Sequence, residues 1–262
     1  MLRTTIGGCG MWGRAARRFG VPLLLLALSS GPSLAEPMLG RKGASAVFGN
    51  EAVSQLITAA LRHDSRAVER AVVGGANVNA IGESGITPLE WVELSGDEAA
   101  MTLLLEHGAD PDLFKQLHDD EVGLQPPLWI AIDKGNTKAL EVLLRHKANP
   151  NLEFGNLTPL MLAVQENHLD CAEMLLHFGA DINAKLGFSN VLTRSLTRMN
   201  FKDALWVLRH GFTRDLEYSK KWLTINEPGI GIGQHEAKAE ALALIDERIR
   251  AQAATPRPDV SN

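Results

Sequence analysis

Four five-residue segments of this chain line up: Gly75-Ala76-Asn77-Val78-Asn79, Gly108-Ala109-Asp110-Pro111-Asp112, Lys147-Ala148-Asn149-Pro150-Asn151 and Gly179-Ala180-Asp181-Ile182-Asn183. Their starts lie 33, 39 and 32 positions apart. A second series, Thr87-Pro88-Leu89, Pro126-Pro127-Leu128, Thr158-Pro159-Leu160 and a degraded Asn190-Val191-Leu192, is spaced by 39, 32 and 32. Both series place one six-residue excess between repeats two and three. A unit of this length cannot bury its apolar face alone, so neighbouring copies must stack into a continuous core.

Each copy reads as two short helices. Pro88 and Pro159 fall at a first helical position, where a missing N–H costs nothing. Thr87 and Thr158 stand just before them and supply a capping hydroxyl. A turn at Ser95-Gly96, Lys134-Gly135 or Glu166-Asn167 starts the second helix. That helix carries Met101, Leu104 and Leu105 in one copy, and Leu140, Leu143 and Leu144 in the next. In the fourth copy the stripe is Cys171, Met174, Leu175 and Leu176, again at helical spacing. Gly108 and Gly179 predict left-handed caps, and Lys147 replaces that glycine in the third copy at a cost of about 1 kcal/mol.

On these residues the sequence resembles the ankyrin repeat family. The match runs from Gly85-Ile86-Thr87-Pro88-Leu89 to Gly108-Ala109-Asp110, and from Thr158-Pro159-Leu160-Met161-Leu162-Ala163 to Gly179-Ala180-Asp181. The resemblance implies an all-α solenoid of about five helix-turn-helix repeats with projecting β-hairpin loops. Residues 50–212 are expected to hold the repeats. The first copy lacks Thr-Pro-Leu and acts as an N-terminal cap; the fifth is eroded and carries Arg194 and Arg198 on its first helix. Residues 213–255 are expected to seal the C-terminal end, irregular over 213–234 and then helical over about 235–253. Ala239, Leu242, Ile245 and Ile249 would form the inward side of that helix. Residues 256–262 read as a disordered tail.

Residues 1–35 have the pattern of an export signal. They hold Arg3, Arg14, Arg17 and Arg18, no acid, an apolar run over 21–28, and the small residues Ser33 and Ala35. Cleavage is expected after Ala35, with residues 36–49 as linker and with translation starting at Met1 or Met11. The apolar run is too short to span a bilayer as a mature helix. Arg17-Arg18 raises twin-arginine export beside the general secretory route. These features predict a periplasmic or secreted protein, without a membrane span once the signal is removed. Removing four arginines takes the formal charge from −5 to −9 and leaves Cys171 as the one cysteine, so an internal disulfide is excluded. An acidic chain with one tyrosine and eight phenylalanines argues against nucleic-acid binding.

Chemistry-bearing residues read better as structure. His107, His146 and His210 share one repeat position, with His177 one place earlier, and suit a helix C-terminus. Successive repeats lie roughly 10 Å apart, too far to share a metal. Cys171 falls among apolar positions. Gly229-Ile230-Gly231-Ile232-Gly233 lacks the Lys-Ser/Thr of a phosphate loop and reads as a connector. No nucleophile, base and oxyanion donors converge, so the chain is expected to be a non-enzyme with no cofactor and no metal.

The resemblance implies protein binding through a concave groove, by a monomer. The residues predicted to line it are Glu83, Ser84, Ile86, Leu94, Ser95, Gln125, Asp133, Lys134, Leu157, Gln165, Glu166, Thr197 and Arg198. Asp119 and Asp120 join them from the extra loop at 114–125, which also holds His118. Ile86, Leu94 and Leu157 are apolar where exposure is expected, which suggests a contact patch. Trp129 reads as core, whereas Trp91 reads equally as core or groove. Within protein binding, two roles fit: an immunity protein that neutralises a secreted antibacterial toxin such as a phospholipase, or a stabilising partner of a periplasmic enzyme. An envelope-bridging structural protein is a third reading.

Overall fold

A computed structural model describes residues 43–114, 125–197, 200–226 and 233–254. The expected signal at 1–35, Asp119, Asp120, His118, Arg198, the glycines at 229 and 231 and the tail at 256–262 lie outside them. The chain divides into two compact units, each taken by itself; the first holds described residues 43–109 with 113 and 114, and the second holds 110–112 and the rest.

The first unit contains α1 (Ala44–Phe48), α2 (Glu51–Leu61), α3 (Ser65–Val73), a 3-10 turn at Glu83–Gly85, α4 (Pro88–Leu94) and α5 (Glu98–Glu106). α1 falls inside the stretch read as linker. Side-chain caps start four of these helices: Asn50 accepts from the Ala52 and Val53 amides, Asp64 from Ala67, Thr87 from Glu90 and Asp97 from Ala100. Each cap satisfies an amide that the helix itself leaves without a partner. Val53, Leu56, Ile57 and Ala60 of α2 bury against α4 and α5, which contribute Leu89, Val92, Met101 and Leu104.

The second unit contains α6 (Pro127–Asp133), α7 (Thr137–Arg145), α8 (Pro159–Gln165) and α9 (Leu169–His177). There follow β1 (Lys185–Leu186), β2 (Ser189–Asn190), α10 (Val191–Thr197), α11 (Phe201–Arg209), α12 (Leu216–Ile225) and α13 (Gln234–Ala254). First helices stack on first helices, α6 on α8 and α8 on α10, while each also packs on its own second helix. Shared strands are few. Among the described residues the antiparallel pair β1–β2 and an isolated bridge between Phe154 and Leu157 are the strand pairings.

The left-handed caps expected at Gly108 and Gly179 are present, and the other copies share them. Gly75, Gly108, Gly179 and Gly211 have φ of 95°, 93°, 94° and 101°, and Lys147 takes φ 70° in the third copy. In each, the next amide reaches back five residues, as from Ala109 to the Leu104 carbonyl (2.9 Å) and from Ala148 to the Leu143 carbonyl (3.0 Å). Lys147 therefore holds a backbone geometry that its Cβ disfavours. Lys147→Gly is expected to raise stability by about 1 kcal/mol, read as a higher urea midpoint at unchanged slope; an unchanged or lower midpoint would refute the strain.

Two expectations for the C-terminal region are corrected. The segment read as irregular contains α12, because Leu216, Ser219 and Leu223 recur at helical spacing and are buried. In α13 the buried side is Ala237, Ala241 and Ile245, whereas Ala239 is exposed and Leu242 and Ile249 are half-buried. Polar contacts fix that rotation: Arg248 donates to the carbonyls of Leu208 and Phe212, and Arg209 pairs with Glu240 at 2.6 Å.

Candidate protein-binding surface

In the first unit, Glu83 is exposed on the 3-10 turn that also includes Ser84. Leu94 and Ser95 are half-buried where α4 ends, and the Ser95 hydroxyl donates to the Val92 carbonyl. Ile86 is 0% exposed, so it is core and not contact surface. The physical reason is the loop before it: the Gly82 amide donates to the Ile86 carbonyl at 2.8 Å, folding the chain back so that the side chain turns inward. Trp91 also resolves to core, at 3% exposure, with its ring edge-on to Phe48 at 5.9 Å between centroids.

In the second unit, Asp133 and Lys134 are exposed at the C-terminal end of α6. Gln125, Gln165 and Glu166 are half-buried, and the Gln165 amide donates to Glu166 at 3.0 Å. Leu157 is half-buried because its backbone is tied to Phe154 in the isolated bridge. Thr197 is the last residue of α10. Trp129 is core, as expected, and packs edge-on against Phe154.

The sequence reading missed what holds the turns in line. The last residue of each five-residue segment reaches the next copy. Asn79 donates to the Gly108 carbonyl (3.0 Å), and Asn151 donates to the Gly179 carbonyl (3.1 Å) while accepting from the Asp181 amide (2.8 Å). Asn183 accepts from the Thr213 amide at 2.8 Å. Asp112 accepts from the Asn149 amide through both oxygens, at 2.9 and 3.1 Å. Burial raises the Asp112 carboxyl above its ordinary range, the Asn149 amide opposes the rise, and Asp110 adds to it. The signal was in plain view as the recurring Asn/Asp of each segment. An asparagine side chain both donates and accepts, which is what two successive backbone turns require.

The chemistry-bearing residues serve the scaffold. His107 and His210 each place Nδ1 2.8 Å from the carbonyl four residues earlier, those of Leu103 and Trp206. Cys171 is 1% exposed; burial, with Asp170 adding, pushes its thiol up to about 11, far from a reactive thiolate. Glu90, which composition did not single out, is fully buried in a capping box. Its Oε2 accepts from the Thr87 amide at 2.6 Å, while its own amide donates to the Thr87 hydroxyl at 3.2 Å. Its second oxygen, Oε1, has no hydrogen-bond partner among the described residues.

Residues 110–185 match a family model described as ankyrin repeats, three copies. No curated protein is significantly similar to the chain.

Proposed function

Because the repeat-bearing part of this chain is made of ankyrin repeats, we propose that it is an exported, non-catalytic module that binds a folded protein partner. Ankyrin repeats are protein-interaction scaffolds, and the observation that carries the reading is how this one is braced. Helix caps and the Asn/Asp ladder hold turns and first helices rigid, while Glu83, Asp133 and Lys134 remain exposed on them. Rigid elements bearing exposed polar side chains bind at low conformational cost. The proposed contact set is Glu83, Ser84, Leu94, Ser95, Gln125, Asp133, Lys134, Leu157, Gln165, Glu166, Thr197 and Arg198, with Asp119 and Asp120. A mature charge of −9 favours a partner with a basic patch.

The export proposal rests on the N-terminal pattern of arginines, short apolar run and small residues. For an exported binding module, toxin neutralisation and enzyme stabilisation are separable by genetics. Deletion sensitises cells to a secreted toxin in the first case and lowers one envelope activity in the second.

The test expresses the tagged full chain with its own signal and recovers partners from the envelope fraction. Leu94→Arg and Asp133→Lys are each expected to weaken capture of the partner at least tenfold. Capture that survives both changes refutes the contact set, and retention of the chain in the cytoplasm refutes export.

A further inference from the structure

Among the described residues, the most exposed large apolar side chain belongs to none of the predicted contacts. Phe188 is 99% exposed. It stands with Gly187 at the tip of the β1–β2 hairpin, where Lys185 pairs with Asn190 and Leu186 with Ser189. Gly187 has φ 57° and opens the two-residue turn without strain. Nothing at that turn requires an aromatic side chain, and most residues that favour such turns are small and polar.

The hairpin is anchored at its base. Asn190 is 1% exposed; its side chain accepts from the Thr193 amide at 2.8 Å, and its amide donates to the Thr193 hydroxyl at 2.9 Å. Lys185 forms an ion pair with Asp215 at 2.8 Å, tying β1 to the start of α12. Tyr218, 60% exposed, stands one turn along that helix. The aromatic ring is therefore presented on a fixed support, which lowers the entropy lost on docking.

The surrounding charge runs against the chain's average. Arg214 is exposed beside the ion pair, Lys221 is exposed on α12, and Arg194 on α10 donates to the Asn156 carbonyl. Asp215 offsets Lys185, Asp246 offsets Lys220 at 2.7 Å, and Glu217 on the first turn of α12 offsets one of the remaining cations, which leaves a modest positive excess. The chain has no lysine or arginine between Arg70 and Lys115, so its basic groups are not spread evenly. An exposed ring within a locally basic setting is complementary to an apolar pocket rimmed by carboxylates.

We propose that Phe188 is the anchor by which this chain engages its partner, inserting into an apolar pocket with an Asp/Glu rim on a folded protein, flanked by Arg214. This deepens the protein-binding reading and depends on it: the basic patch proposed for the partner would meet acidic contacts such as Glu83 and Asp133, and the acidic rim would meet the hairpin. Recognition of an anionic lipid surface takes clusters of about 4–8 Lys/Arg, more than the hairpin and α12 leave uncompensated, which favours a protein.

The test places photoreactive p-benzoylphenylalanine at position 188 of the full chain, expressed with its own signal and irradiated in cells. The expected result is one protein adduct whose attached peptide lines an apolar pocket bordered by carboxylates. With that protein purified, Phe188→Ser should weaken binding about 30-fold, as for an interface hot spot. Arg214→Glu should weaken it about fivefold and flatten the salt dependence. Full exposure makes both variants neutral for folding. An adduct to phospholipid, to a second copy of this chain or to many proteins overturns the proposal. So does partner binding that Leu94→Arg abolishes and Phe188→Ser leaves intact, in which case the protein-binding reading stands. Absence of any partner sensitive to either change removes both.

Discussion

Unfolding free energy is expected to fall by about 3 kcal/mol between roughly pH 5 and pH 8, and Glu90→Gln is expected to remove most of that slope. Burial raises the Glu90 carboxyl from 4.5 to about 7, against the opposing hydrogen bonds from the Thr87 amide and hydroxyl. Below 4.5 both folded and unfolded chains carry the proton. Between 4.5 and 7 the unfolded chain has released it while the folded chain retains it, so stability declines as pH rises. Above 7 both are ionised and the full penalty is present. The structure shows where the penalty arises: Oε2 is satisfied by the Thr87 amide, but Oε1 is buried with no hydrogen-bond partner among the described residues, so an ionised carboxylate has too few donors. Glutamine keeps the acceptor for the Thr87 amide and carries no charge, so the capping box persists. Chemical denaturation at three pH values, with amide exchange over α4, compares the two proteins. Equal slopes in both would refute the assignment to Glu90. The ankyrin signature Thr-Pro-Leu-His-x-Ala has histidine at this position; Glu90, Trp129, Met161 and, in the degraded fourth member of the series, Thr193 stand there in this chain.

Helix starts and stops were legible in the sequence because each is a local event repeated several times. Thr87-Pro88 caps and opens a helix by itself, and Gly108 or Lys147 ends one by itself. The repetition let each copy check the others. Ile86 was misread because its exposure depends on a bond from the Gly82 amide, a loop contact with no pattern along the chain. α12 was missed because it begins without a capping side chain, after Asp215 at φ 52°, and carries no Thr-Pro-Leu mark. The face of α13 was misread because long helices rich in alanine offer several apolar stripes, and periodicity alone does not choose among them. Phe188 escaped notice because it occurs once, outside the repeating positions. Repetition therefore revealed the scaffold well, and candidate recognition residues, which are by nature unrepeated, poorly.

The choice of face in α13 falls to Arg248, and replacing it is expected to loosen the C-terminal end of the second unit. Its two terminal nitrogens donate to the carbonyls of Leu208 and Phe212 at the end of α11. The Leu208 carbonyl also accepts from the Gly211 amide, Phe212 follows just past the helix, and a cation there meets the negative end of the helix dipole. Leu208, Phe212, Ala241 and Ile245 are all 0% exposed and Arg248 itself is half-buried, so water competes only in part for these carbonyls. Charge-assisted bonds contribute about 1.5–3 kcal/mol each, and the two share one side chain, so Arg248→Met should cost about 3 kcal/mol. Methionine preserves the apolar stem and removes only the donors. Lysine restores the charge but not the fork, and should recover about half of the loss. Amide exchange is the discriminating readout: protection over α11 and α13 should drop in Arg248→Met while that of α2 and α4 is unchanged. Arg209→Ala, which breaks only the exposed pair with Glu240, should cost well under 1 kcal/mol. If the two arginine variants lose equal stability, the carbonyl contacts are not what holds α13 in place, and its rotation must come from apolar packing of Ala237, Ala241 and Ile245 alone.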